Sequence, residues 1–129
     1  MEYSFVVETL NEKESKYVSI GRKEYLIAKK DSRYVIKILN RSKTHCNVSI
    51  YIRDKFMGSW KLNPDTVVTI KKEFIFSDHW HINEDDDKNL EDTCEESTIT
   101  ARFSSESSKN SENIYTLSLP VIICNHDLS

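Results

Sequence analysis

The sequence is poor in the residues that punctuate chains, with two glycines, two prolines and three cysteines in 129 residues. Two isolated glycines exclude a Gly-rich phosphate loop, and so little Gly and Pro excludes collagen-like and low-complexity chains. Long apolar runs are missing as well. Tyr25-Leu26-Ile27-Ala28 and Leu119-Pro120-Val121-Ile122-Ile123 fall far short of the roughly 20 residues of a spanning helix, so no membrane segment is predicted. There is no basic excess either. The 18 basic and 21 acidic residues give a net charge of −3, which speaks against nucleic acid as a partner. The cysteines, Cys46, Cys94 and Cys124, are odd in number and lack C-x-x-C spacing. They predict reduced thiols rather than a disulfide framework or a zinc ribbon. Glu2 stands where a secretory leader carries basic residues, and Glu8 interrupts the next apolar run. The chain is therefore expected to stay inside the cell. In that setting Asn40-Arg41-Ser42 and Asn47-Val48-Ser49 are chance matches to the glycosylation sequon.

What is present is 38% hydrophobic and 30% charged sequence, the composition of one soluble domain spanning residues 1–129. Period-two alternation dominates it. Tyr34, Ile36 and Ile38 share one face of a strand, and Val48, Ile50 and Ile52 share one face of the next, with polar turn residues 40–44 between them. Met57-Gly58-Ser59-Trp60-Lys61-Leu62 predicts the return arm of a hairpin, and Gly58 marks a bulge or a close backbone approach. Asn63-Pro64-Asp65 predicts a turn, because Pro64 presets φ for its second position. Val68 and Ile70, Phe74 and Phe76, Ile99 to Phe103, and Tyr115 to Leu119 continue the pattern. Phe5 and Val7, Val18 and Ile20, and Tyr25 and Ile27 give three short strands before it. The expected fold is an all-β antiparallel sandwich of about eight to ten short strands with little helix. The best helical alternative is Asp85 to Cys94, whose one large apolar residue is Leu90.

Two segments break the alternation. Residues 84–96 hold eight acids against Lys88 alone, a local charge of −7 that leaves +4 on the rest, and predict a solvated acidic loop. Residues 104–113 are rich in Ser, Asn, Glu and Lys, without the apolar anchors that offset ordering entropy, and predict a mobile polar loop.

Candidate chemistry is sparse. His79 and His81 would lie on one face of a strand, with Glu84 following, which is a metal-ligand pattern similar to part of the cupin motif. The glycines and the second His-bearing motif of cupins are absent, so the expectation is no metal and no cofactor. Asp85-Asp86-Asp87 lacks the spaced ligands and the Gly of a calcium loop. His45 and Cys46 are neighbours whose side chains would point to opposite faces of a strand, which is no catalytic dyad. No catalytic constellation remains, and the chain is expected to bind rather than catalyse.

The block Tyr34 to Asn40, Val48 to Ile52, Gly58 to Pro64 and Val68 to Ile70 resembles a recurring β-module of small virion-associated proteins of large DNA viruses and some phages. Phe74-x-Phe76 and Ser97 to Phe103 are similar to its closing strands, so the likeness covers residues 33–104. One departure is the stretch Arg53 to Met57 before Gly58, where the family makes a tight turn; it predicts a longer hairpin here. The resemblance implies a jelly-roll-like sandwich and a non-enzymatic structural role, as a minor capsid or virion-associated protein. The implied location is the virion or the host cytoplasm. The partners it implies are other protein subunits, including copies of this chain, and Tyr51, Phe56, Met57 and Trp60 are the interface candidates, with Trp60 read first as the central aromatic of the core. Two other functions are weighed beside it. One is an intracellular adaptor or a carbohydrate- or peptide-binding sandwich, and the other is a cupin-like metal-dependent enzyme using His79 and His81.

Overall fold

The computed structural model describes residues 2–10, 15–76, 94–105 and 114–124, and all regular structure among them is strand. Ten strands follow in chain order: β1 (Tyr3–Thr9), β2 (Ser15–Ile20), β3 (Lys23–Lys29), β4 (Arg33–Asn40), β5 (Cys46–Ile52), β6 (Lys55–Leu62), β7 (Thr66–Thr69), β8 (Phe74–Ile75), β9 (Cys94–Ser105) and β10 (Ile114–Cys124). They form a four-stranded sheet and a six-stranded sheet. The chain passes between them repeatedly. In the smaller sheet β1 pairs with one side of β4, and β7 and β8 with the other. Ile70 N–H donates to Ile36 C=O at 2.9 Å between β7 and β8, so the two short strands act as one interrupted edge. The larger sheet runs β2-β3-β10-β9-β5-β6.

All pairs are antiparallel except β3 with β10, which run parallel. The strictly antiparallel expectation misses this pair. The β2–β3 hairpin is added to the side of β10, covering an edge that would otherwise be open. Tyr17 on β2 then ties the margins of the two sheets. Its hydroxyl accepts from Val7 N–H and donates to Val7 C=O on β1, both at 3.2 Å. Burial raises the Tyr17 phenol above its ordinary range against the opposing effect of that backbone bond.

The core is where alternation places it. Tyr34, Ile36 and Ile38 of β4 face Cys46, Val48 and Ile50 of β5 and Ile99, Ala101 and Phe103 of β9 across a dry interior. Each buried Ile or Phe contributes about 1.5–3 kcal/mol by leaving water. Tyr34 stacks on Phe76 at 4.1 Å and on Phe74 at 5.4 Å at one end, and Tyr3 stacks on Phe103 at 5.0 Å at the other. β3 differs from its expected phase, since Leu26 and Ala28 are buried and Tyr25 and Ile27 only half-buried. Its four apolar residues run without interruption, so alternation carried no phase there.

Several boundaries differ from expectation. Cys94, Glu95 and Glu96 of the predicted acidic loop open β9, and Ser104 and Ser105 of the predicted polar loop end it. Residues 84–93 and 106–113 lie outside the described residues. So does the helical alternative, except Cys94, which is strand. The reading of three reduced thiols is corrected: Cys94 and Cys124 are direct cross-strand partners and form a disulfide, with Cα atoms 4.3 Å apart. Their separation of 30 residues hid a pairing that only the β9–β10 register creates. Cys46 is buried and takes no part in the disulfide.

Candidate functional site

The β5–β6 hairpin carries the four residues expected at an interface. Arg53 and Asp54 have φ of 52° and 65°, and Arg53-Asp54 is the two-residue link between Ile52 and Lys55, so the hairpin is tight rather than long. The additional residue is absorbed within the ladder, where Ile50 pairs with Gly58 but Tyr51 with Phe56, which makes Met57 a bulge. That shift decides where the candidates point. Tyr51 and Phe56 meet on the outer face of the larger sheet, with ring centroids 5.6 Å apart and tilted by 56°. Phe56 is 56% exposed. Trp60 points inward and packs half-buried against the core, and Met57 also packs there. The Trp60 ring lies across Gly58, whose φ is 144°, so close that a Cβ at position 58 would sit 2.8 Å from it.

Arg102, which was not among the candidates, completes the exposed group. It stands on the outer face of β9, and its guanidinium lies 4.9 Å from the Tyr51 ring centroid. Its outward phase between Ala101 and Phe103 was readable; its contact with Tyr51 needed the β5–β9 pairing. Around these side chains the hydroxyls bond one another. Ser49 and Ser59 are 2.8 Å apart, and Thr100 and Ser118 are 3.3 Å apart.

Two polar arrangements, one buried and one partly buried, close the ends of the sandwich. Asn40 is fully buried. It donates to the Thr44 and Asn63 carbonyls at 3.0 Å each and accepts from the Ser42 N–H at 3.0 Å and hydroxyl at 2.7 Å. This makes the first sequon match an Asx turn with no accessible amide, whereas Asn47 of the second is exposed. At the other end Arg53 turns inward and reaches Glu95, Nη2 to Oε2 at 3.1 Å. That approach is out of line for a hydrogen bond, and Nε finds no acceptor among the described residues either. Burial pushes the Tyr34 phenol far above its usual value, while the Arg53 charge opposes the shift. Glu95 is thus an ion-pair member on β9 rather than part of a solvated loop.

No catalytic or metal geometry stands out among the described residues, where no three His, Cys, Asp or Glu side chains gather to hold an ion. His45, just before β5, is exposed, and Cys46, the first residue of β5, is buried. His79, His81 and Glu84 lie outside the described residues.

No family model and no curated protein matches the chain. Among solved structures, the chain is similar to the CARDB domain of the PF1109 protein from Pyrococcus furiosus, studied in solution by NMR. That match spans 97% of this chain and 96% of that one at 11% identity, with a TM-score of 0.50. A crystal structure of that CARDB domain in complex with di-metal ions matches 96% of this chain and 97% of that one at 14% identity, with a TM-score of 0.42. At such identity the first likeness shows the fold alone, which is a CARDB-like β-sandwich.

Proposed function

We propose that this chain is a non-enzymatic protein-binding module that joins an assembly through the outer face of its β5–β6 hairpin. The observation that carries this reading is Phe56, an aromatic ring 56% exposed on an edge strand, backed by Tyr51 and by Arg102. Exposed aromatic residues beside arginine are the groups that dominate protein interfaces. The similarity of residues 33–104 to virion-associated modules favours a virus particle as the assembly, with this chain as a minor component. The Cys94–Cys124 bond favours a particle surface or another oxidising setting over a reducing cytosol.

Quantitative mass spectrometry of particles purified from the source of the sequence tests the placement. The expected result is a fixed copy number that collapses when Phe56→Ala is introduced. A chain absent from the particles refutes the virion placement. Incorporation unchanged by Phe56→Ala refutes the hairpin as the contact.

A further inference from the structure

We infer that the Cys94–Cys124 disulfide is a redox latch, and that its reduction by a dithiol lets the β2–β3 hairpin and the end of β10 open together while the body of the sandwich stays closed. The inference stands apart from the protein-binding reading. β3 joins the larger sheet through four register pairs, Val121 to Cys124 of β10 against Leu26 to Lys29. β2 in turn pairs with β3. On their other side the same four residues of β10 lie against Cys94, Glu95, Glu96 and Ser97 of β9. One short stretch of β10 therefore carries both ladders, and the disulfide closes its last pair. Lys30 N–H donates to Cys124 C=O at 2.7 Å, so the turn after β3 hangs on that residue as well.

This end of β9 is ill suited to hold a neighbour by packing. Further along, the strand buries Ile99, Ala101 and Phe103, whereas from Cys94 to Ser97 it offers two glutamates and a serine, and only Ser97 is buried. Glutamate is disfavoured in strands, and the ends of ladders open most readily. While the covalent bond stands, the end of β10 cannot part from β9. Reduction removes that restraint. β9 itself stays behind, because Glu95 meets Arg53 at 3.1 Å and Arg53 N–H donates to Thr98 C=O at 3.0 Å. The strands that move are β10 and β3, and β2 goes with them once Tyr17 gives up its two bonds to Val7. Burial of Leu26, Ala28, Val121 and Ile123 draws them back, so the reduced chain opens repeatedly at this end rather than staying open.

The exchange itself follows from exposure. Cys94 is exposed and Cys124 buried, so the incoming thiolate attacks Sγ of Cys94. The Sγ–Sγ bond breaks, Cys124 leaves as a thiolate that takes up a proton, and a mixed disulfide forms at Cys94. The second thiolate of the same dithiol then attacks its partner sulfur in that mixed disulfide and releases Cys94. The chain gains two electrons and two protons, and the dithiol becomes a disulfide.

The test compares amide hydrogen exchange of the full 15N-labelled chain, oxidised and after reduction with dithiothreitol, at one pH and temperature. Thiol titration in denaturant should first read one thiol per chain, from Cys46, and three after reduction. Exchange is expected to speed up at least about tenfold at residues 15–29 and 121–124, to stay unchanged at 36–38 and 48–50, and to slow again on reoxidation. Cys94→Ala, at an exposed position, should show the fast pattern in both conditions. Three thiols before reduction, or equal exchange in the two forms, would overturn the inference. Acceleration spread evenly over β4 and β5 would overturn it as well, by making the bond a staple of the whole fold. A further response of Cys94→Ala to dithiothreitol would assign the effect to the reagent and sink it too.

Discussion

β4 and β6 are both eight residues long, yet their side chains meet opposite fates. β4 has neighbours on both sides and buries Tyr34, Ile36, Ile38 and Asn40 in unbroken alternation. Among the described residues β6 has one neighbour and a bulge, and only its Leu62 is fully buried, although it also carries the apolar side chains Phe56, Met57 and Trp60. Composition therefore does not decide which strand becomes core. A strand flanked on both sides, under the opposite sheet, is cut off from water by its surroundings, whereas an edge strand keeps a flank that its own residues cannot cover.

Truncations along the two strands probe that contrast. The largest effect is expected at Ile36→Ala, and at its counterpart Ile50→Ala on β5, with a loss of ~2–5 kcal/mol in denaturant unfolding from lost burial and the cavity left behind. A loss below ~1 kcal/mol at both would mean that the two sheets do not close over a dry interior. Asn40→Ala, at the end of β4, comes next. It removes a side chain with four hydrogen bonds, and the Thr44 and Asn63 carbonyls it leaves behind set a cost of ~1–3 kcal/mol. An unchanged midpoint in urea would show that water substitutes for the amide. The smallest effect on stability belongs to Phe56→Ala on β6, expected within about 0.5 kcal/mol because the ring is already more than half in water. A loss comparable to that of Ile36→Ala would make β6 a core strand and end the contrast.

Much of this fold was legible locally. The residues facing inward on β4, β5 and β9 follow from a two-residue period, because successive Cβ atoms of a strand point to opposite faces whatever the partner. The turn at Asn63-Pro64-Asp65 follows from the fixed φ of proline. The site was legible in part. Tyr51 and Phe56 were identifiable as apolar residues on a hairpin and Trp60 as a core aromatic, but nothing before Gly58 announced that Met57 would be absorbed as a bulge, which leaves Phe56 outward. Glu95 gave a misleading signal. Its neighbours in sequence are acids, which suggested solvent, while its neighbour in space is the Arg53 guanidinium.

By itself, the sequence determined that this chain makes strands and which side chains of the central ones face inward. Only the tertiary structure decided that β3 lies parallel to β10, that Cys94 meets Cys124, that Asn40 reaches Asn63, and that Arg102 covers Tyr51. The reason is the range of the forces involved. Alternation is written into each residue's own backbone geometry, whereas those contacts join segments distant in the chain, and the choice of partner depends on how the two sheets bury their apolar faces together.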